Sequence, residues 1–452
     1  MYLRCMMIAV LLSCFSAATH ADSGETLLRN SGEKLSLNDA CAQALQNSPL
    51  LRGTKSQMQA EERVVTENRA GYFPQISADA TSVHVDQGGT HVTRDGVEQQ
   101  LGTYITAGAL STSTVLDREA AGIQVKQLVS DFGKTGNRVA SAKASLRAAE
   151  QQYDAARAKV LLDVIEAYFK TLQAQATQQI AQKTVGDRQL EFEKISLLAK
   201  AQAKSNLDVS FASVALEQSK VLLLQAQNDY NAKFAQLAFA MGLKGVPPNA
   251  WQLIDAEALP EPPTTAIDDL IARADKARPE LARQRAIYDA ARSKAAAEKA
   301  GNFPTLEMLA AAGKTFSGDS RLPDRYGAIG LNINMPIFAG GYYQAKQAEA
   351  EYRAAAALDD LANLENSIAR DVRTAWLNVQ AGRQALTASE RLRHYAEQSL
   401  ELAQSRYNLG LSSIVELNNA ELNAIDAELK DVQSRYEYQL DLARLAYQSG
   451  SI

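Results

Sequence analysis

The chain contains its own architecture twice, in register. Gly71-Tyr72-Phe73-Pro74 returns as Gly301-Asn302-Phe303-Pro304, and the same displacement carries Pro49 onto Pro279. A second displacement, shorter but equally constant, carries Ala167-Tyr168 onto Ala375-Trp376. It then holds without a gap through Ser205/Ser413, Asp208/Glu416, Ala212/Ala420 and Leu237-Ala238/Leu445-Ala446 to Gly242/Gly450. Chance matches do not keep one register over such a span, so the fold is a duplicated unit. The difference between the displacements marks an insertion in the first copy. Phe73 and Phe132 stand farther apart than Phe303 and Phe338, and the surplus falls at residues 86–119, a Gly-, Thr-, Ser- and Gln-rich stretch with the composition of a surface loop.

Proline placement says what each copy is made of. None of the 11 prolines lies between Pro74 and Pro247, and none follows Pro336. Proline breaks helix interiors, so these two stretches have room for very long helices, and their Ala, Leu, Gln, Glu, Lys and Arg content favours them. Long helices are expected at about 134–200, 207–242, 341–408 and 413–449. At 1.5 Å per residue the first would run on the order of 100 Å. Leu422, Ile425, Leu429, Val432 and Tyr436 step by three and four, as do Leu361, Leu364, Ile368 and Val372, and Tyr230, Phe234, Leu237 and Met241. Such stripes fit coiled coils, and a plain helical bundle gives the same stripe. The 46% hydrophobic content is swollen by alanine, which buries little area, so closely packed thin helices fit better than a thick core. Ser36 is placed to cap the first helix, with Asp39 in its first turn.

Each copy also holds two short strands, expected at about 75–86 and 120–130, then 305–314 and 326–337. Ile329, Leu331, Ile333 and Met335 alternate with Gly330, Asn332 and Asn334; Leu306, Met308, Ala310 and Ala312 recur at the same period, and so do Ile123 and Val125. A polar loop at 314–325 joins the second pair. The chain therefore divides into a first repeat at 22–242, a linker at 243–265 and a second repeat at 266–452. The linker holds Pro247-Pro248, Trp251 and Pro260-Glu261-Pro262-Pro263, a rigid segment suited to lie across the helices.

Residues 1–21 read as a secretory signal: Arg4, an apolar stretch too short to span a bilayer, and small residues at Thr19 and Ala21 before Asp22. Leu11-Leu12-Ser13-Cys14 also fits a loose lipoprotein site, which would leave Cys14 acylated. Ordinary cleavage is favoured because Leu12 is bulky where a small residue is usual. It leaves Cys41 as a single cysteine, read as a small helix-face residue. No later apolar run is long enough for a transmembrane helix. The 452 residues, 22% charged and with net charge −5, exclude a disordered tail, a collagen-like chain and a disulfide scaffold, and argue against a nucleic-acid partner. His20, His84, His91 and His394 lack metal-ligand spacing, and no phosphate loop or nucleophile elbow occurs. No enzyme activity, catalytic residue, cofactor or metal is expected.

Four strands cannot sit alone in a bilayer, because unpaired backbone groups at the sheet edges are forbidden in hydrocarbon. Three chains would supply about twelve strands, an even number in the usual bacterial range, with the apolar face toward lipid and the Gly/Asn face toward water.

At this point the chain resembles the TolC family of outer-membrane channels, which serve drug-efflux pumps and type I secretion. The resemblance rests on Leu37-Asn38-Asp39-Ala40 with Ala44-Leu45, Asn47 and Pro49; on Phe73-Pro74 and Phe303-Pro304; on Asp131-Phe132-Gly133 and Pro336-Ile337-Phe338-Ala339-Gly340-Gly341; and on residues 407–416. It covers essentially the whole mature chain. It implies a fold that is mainly α with β: a homotrimer whose twelve-stranded transmembrane β-barrel continues into a periplasmic α-helical coiled-coil barrel, girdled by a mixed equatorial region. The implied place is the outer membrane of a Gram-negative bacterium, in contact with its lipid and with a long periplasmic extension. The implied partners are a periplasmic adaptor (membrane fusion) protein and an inner-membrane pump of the RND or ABC class. The implied function is the passive exit duct of a tripartite pump for drugs or other small molecules. Type I protein secretion is the alternative, and an exported coiled-coil structural protein a distant one.

The helix-hairpin tips carry the residues of interest. Tip one is residues 199–208 and tip two residues 407–416. The resemblance implies an acidic ring at Glu416, weakened because Asn419 stands where the family has a second acid one turn on. It implies a latch between Tyr407 and Asp208. Ser412 replaces an arginine of the family's best-known member, so the charged part of that latch is missing and a more easily opened tip is implied. Adaptor contact is expected at Gly410, Leu411, Ser205 and Ala203. Local structure offers a plainer role for some of these: Gly410 suits a helix C-terminus, Ser412 or Ser413 can cap the next helix, and Asp208 and Glu416 suit a helix first turn.

Overall fold

The computed structural model describes residues 33–84, 90–94, 97–106, 109–113, 117–246, 251–255, 259–316 and 324–452. The expected leader at 1–21, with Cys14 and His20, lies outside the described residues, as do Pro247-Pro248 and the side chains of His84 and His91. Both copies are built from helices of matching length. The first has α1 (Leu37–Asn47), α2 (Pro49–Ala70), α3 (Lys134–Lys200) and α4 (Asn206–Ala240), of 11, 22, 67 and 35 residues. The second has α5 (Ile267–Ala277), α6 (Pro279–Ala300), α7 (Tyr342–Asn408) and α8 (Ile414–Gln448), of the same 11, 22, 67 and 35. The 67-residue helices each extend about 100 Å. Alanine is the commonest residue at their buried positions, which lets neighbouring helix axes approach closely. No helix among the described residues is long and apolar enough to cross a membrane.

The expected opening helix of each copy is in fact two helices. Ser48 and Arg278 adopt extended backbone (ψ 118° and 121°) because the proline that follows excludes the helical region. The last helix of each copy seats in that break. Gly242 and Gly450, just past α4 and α8, both have φ +74°. A Cβ on Gly242 would lie 2.9 Å from the Asn47 carbonyl, and one on Gly450 would lie 2.8 Å from Ala277 Cβ. The capping bond expected at Ser36 is present, its hydroxyl accepting the Asp39 N–H at 3.2 Å.

The linker holds a strand that its proline-rich composition hides. In chain order the strands are β1 (Glu33–Leu35), β2 (Gln75–His84), β3 (Thr90–Arg94), β4 (Val97–Thr106), β5 (Ala109–Ser113), β6 (Asp117–Ser130), β7 (Trp251–Leu253), β8 (Thr305–Thr315) and β9 (Arg325–Asn334). β1 and β7 pair in parallel, Leu35 opposite Leu253. The buried Tyr168 hydroxyl of α3 lies 2.8 Å from the carbonyls of both Leu35 and Ile254 and accepts the Ile254 N–H at 3.1 Å. Tyr438 donates to the Pro260 carbonyl at 3.0 Å and Tyr436 to Asp255 at 3.0 Å, so both copies hold the linker. Cys41 is half-buried against the same core.

β2, β6, β8 and β9 form one antiparallel sheet in the order β2-β6-β8-β9. Its rows are set by register. Ile76, Val125, Ala310 and Ile329 lie abreast, and Ser77, Gln124, Ala311 and Ala328 form the next row on the opposite face. The first face carries Ile329, Leu331 and Ile333, each at least 70% exposed. The second carries Gln75, Ser77, Asn332, Asn334 and the Lys126–Glu307 ion pair at 2.9 Å. β9 stops at Asn334, short of the expected 337, because Pro336 has no N–H for the ladder. The insertion expected as a loop at 86–119 contains instead a second antiparallel sheet, β3-β4-β5. Threonine, valine and tyrosine favour extended backbone as strongly as the glycine, serine and glutamine around them suggest a loop.

The seating of α4 and α8 is directly testable. Gly242→Ala or Gly450→Ala adds a left-handed strain of about 1–2 kcal/mol to the close contact. Each should lower the thermal midpoint of the purified protein by several degrees; a midpoint equal to wild type would show that the helix ends do not seat this way.

Candidate functional site

The two hairpins end in tight turns that the repeat makes equivalent. Gln202 and Gly410 occupy matching positions and both are left-handed, with φ 59° and 71°. The serines that follow cap the outgoing helices: Ser205 Oγ accepts the Asp208 N–H at 3.1 Å, and Ser413 Oγ accepts the Glu416 N–H at 3.3 Å. At the first tip the capping box closes, since Asp208 also accepts the Ser205 N–H at 3.0 Å. At the second tip the Glu416 carboxylate turns to Arg406, 3.3 Å away on the last turn of α7. The position matching Arg406 in the first copy is Leu198, so Asp208 has no such cation to turn to.

The expected latch residues meet at this tip without a hydrogen bond between them. Tyr407 is buried and its hydroxyl has no hydrogen-bond partner among the described residues. Burial, with the nearby charges of Asp208 and Glu191, pushes its pKa up to about 12. The attachment across the hairpins is made by the ring: Lys204 Nζ, on the α3–α4 turn, lies 3.7 Å from its centroid. Lys194 adds a bond to Asn408 at 2.9 Å. Ser412 is half-buried, its hydroxyl also without a partner among the described residues; Ser413, not Ser412, is the cap. Glu416 and Asn419 both lie exposed on α8, three residues apart on one face. Ala203, Ser205, Gly410 and Leu411 are exposed at the extremity. Leu197, Leu207 and Leu409, which the sequence did not single out, stand beside them 64–74% exposed. Beneath lies a small core of Ile195, Ala212, Ala403, Tyr407, Ile414, Leu417 and Ala420.

Sequence reasoning missed Arg406, Lys204 and a buried charge cluster above the tip. There Arg188 of α3 meets Glu191 at 3.0 Å, Asn418 at 3.5 Å and Glu421 of α8. A signal for it exists. Ile180, Thr184, Arg188 and Ile195 share one buried stripe of α3, and a charge in such a stripe needs a partner. No group of metal-ligating side chains occurs among the described residues.

Three comparisons with known proteins place this architecture. The family profile described as outer membrane efflux protein matches residues 40–243 and 270–451. The outer membrane protein TolC of Vibrio cholerae serotype O1 is 24% identical over 419 residues, covering 91% of this chain and 89% of that protein. The outer membrane efflux protein BepC of Brucella suis biovar 1 is 20% identical over 417 residues, covering 92% and 85%. Among solved structures, the outer membrane protein VceC of Vibrio cholerae superposes with a TM-score of 0.74 at 22% identity, over 92% of this chain and 96% of that one.

The unpaired Tyr407 hydroxyl makes a prediction with a definite sign. Its pKa is raised, so the folded tip keeps the phenolic proton from pH 10 to about 12, where the unfolded chain has lost it. Below pH 10 the phenol is neutral in both states and adds no pH dependence; as the pH climbs from 10 toward 12 stability falls, because the unfolded chain releases the proton first. Tyr407→Phe should leave stability at pH 7 unchanged and flatten the loss above pH 10, with one fewer high-pH phenol in an ultraviolet titration. A large loss at pH 7 would mean that the hydroxyl has a hydrogen-bond partner after all.

Proposed function

The chain belongs to the outer membrane efflux protein family, and from that premise we propose that it is the outer-membrane exit duct of a tripartite efflux pump, conducting drugs or other small molecules passively out of the periplasm. The observation that carries the reading is the four-stranded sheet. One face is apolar and exposed, its edge strands β2 and β9 each have a single neighbour among the described residues, and it stands at the root of two helices of about 100 Å. Pairing β2 of one copy with β9 of the next turns three sheets into a closed barrel with lipid outside and water within. The helices then continue the tube into the periplasm. Tyr72, Phe73, Phe132, Phe303 and Phe338, all exposed at the strand–helix junctions, form the aromatic belt where the barrel leaves the bilayer.

The tips form the gate in this reading. A periplasmic adaptor docks on the exposed leucines and on Gly410, Leu411, Ser205 and Ala203, and an inner-membrane pump supplies the energy. Three copies of Glu416 make a cation-favouring ring. Arg406 damps it by ion pairing, and Asn419 leaves it without a second acidic tier. Lys204 over Tyr407 supplies the tie that a phenol–carboxylate bond between Tyr407 and Asp208 does not.

Ion selectivity in planar bilayers tests the assignment. Glu416→Ala should lower the cation preference of the pore, and Arg406→Gln should raise it by releasing the carboxylate. Reversal potentials unchanged in both variants would remove the gate from this position.

A further inference from the structure

A buried ionic tie between the hairpins lies above the tip. Arg188 projects from α3 three turns before that helix ends, and Glu421 projects from α8 two turns after it begins. Their side chains are only 6% and 14% exposed. By contrast Lys194 and Asn408, which bond nearer the tip, are both exposed, where solvent weakens a charge contact. Arg188 also borders a groove of about 310 Å³ whose lining mixes Phe211, Val214 and Leu422 with Asn418 and Asn419, so apolar surface adjoins the guanidinium on that side. In such surroundings an ion pair is either made or broken, because an intermediate separation leaves both charges poorly solvated.

We propose that Arg188 and Glu421 form a buried ionic clasp joining the α3–α4 hairpin to the α7–α8 hairpin within one subunit, and that this clasp, rather than the contacts at the tip, holds the periplasmic end at its resting aperture. The inference rests on the duct reading. Glu191 gives the clasp its second state. It lies three residues from Arg188 on the same helix, already bonds it at 3.0 Å, and has one carboxylate oxygen, Oε1, without a partner among the described residues. When Glu421 withdraws with α8, Arg188 keeps a counter-charge on its own helix, and Glu421 moves into the widening water-filled space. Asn418, at 3.5 Å from Arg188, leaves with the same turn of α8. Arg188 and Glu421 are positioning residues: they set where the Glu416 ring stands without lining the path themselves.

Single-channel recording of the reconstituted full-length protein tests this. Glu421→Gln and Arg188→Met should each raise the open probability about tenfold or more, while the protein still assembles in the membrane. A charge exchange, Arg188→Glu with Glu421→Arg, is made in a Glu191→Gln background that removes the neighbouring carboxylate. It should return the open probability to that of Glu191→Gln alone. Single variants that gate like wild type, or an exchange as open as the singles, would overturn the clasp. If the wild-type protein forms no pore, it is the duct reading that fails. Thermal unfolding then judges the clasp independently: both single variants should lower the midpoint and the exchange should restore it, and a midpoint not restored would dispose of the clasp.

Discussion

An exposed sheet edge in hydrocarbon is the constraint from which the rest follows. β2 and β9 each carry a row of backbone donors and acceptors with no neighbour on one side among the described residues, and the face between them is apolar and bare. In water such an edge recruits other chains; in lipid each unsatisfied group costs several kcal/mol. Within one subunit nothing described covers either edge. Closure by copies of the same chain satisfies the backbone and places Ile76, Ile329, Leu331 and Ile333 against lipid in one step. The Lys126–Glu307 pair and the asparagines of β9 fall on the inner, watered face by the same register.

Rigidity and looseness are distributed along the helices in a way that suits a duct. Around the middle, Tyr168, Tyr436 and Tyr438 bind the linker, and Arg444 of α8 holds Glu166 of α3 at 2.9 Å along with Glu437 and Asp441 of its own helix. Two extended apolar cores lie there, one built on each copy. Toward the tips the core shrinks to a few side chains, and the hairpins are joined by Arg188 to Glu421 and Asn418, by Lys204 over the Tyr407 ring and by the exposed Lys194–Asn408 bond. Local opening free energy follows buried apolar contact, so the far end of the helices is the least costly place for the hairpins to part.

Much of this was legible because the informative features are long or repeated. α3 and α7 fill the proline-free stretches, and the ungapped match from Ala167 to Gly242 reappears as helices of equal length and glycines of equal φ. Features that depend on partners distant in sequence were not legible. The helix break before Pro49 and Pro279 is a different case, a local effect of each proline on the residue before it. β1 and β7 are three residues each and exist because they find one another. At the tip the family resemblance implied Tyr407 and Asp208 as partners. The fold instead commits Asp208 to capping α4, leaves the phenol unpaired and sets Lys204 over its ring. Which face of α3 meets α8 decides whether Arg188 finds Glu421, and one helix stripe cannot state that register.

The account stands on edge closure between copies, and cysteine cross-linking reads it directly. In one subunit β2 and β9 are three strand spacings apart, about 14 Å, beyond the reach of a disulfide. A bond between a cysteine on β2 and one on β9 must therefore join two chains. In a Cys41→Ser background, a panel of such pairs oxidised in outer-membrane vesicles should yield a product of three chains on a denaturing gel. Single chains at every pair, from a protein that purifies as a water-soluble monomer, would contradict it.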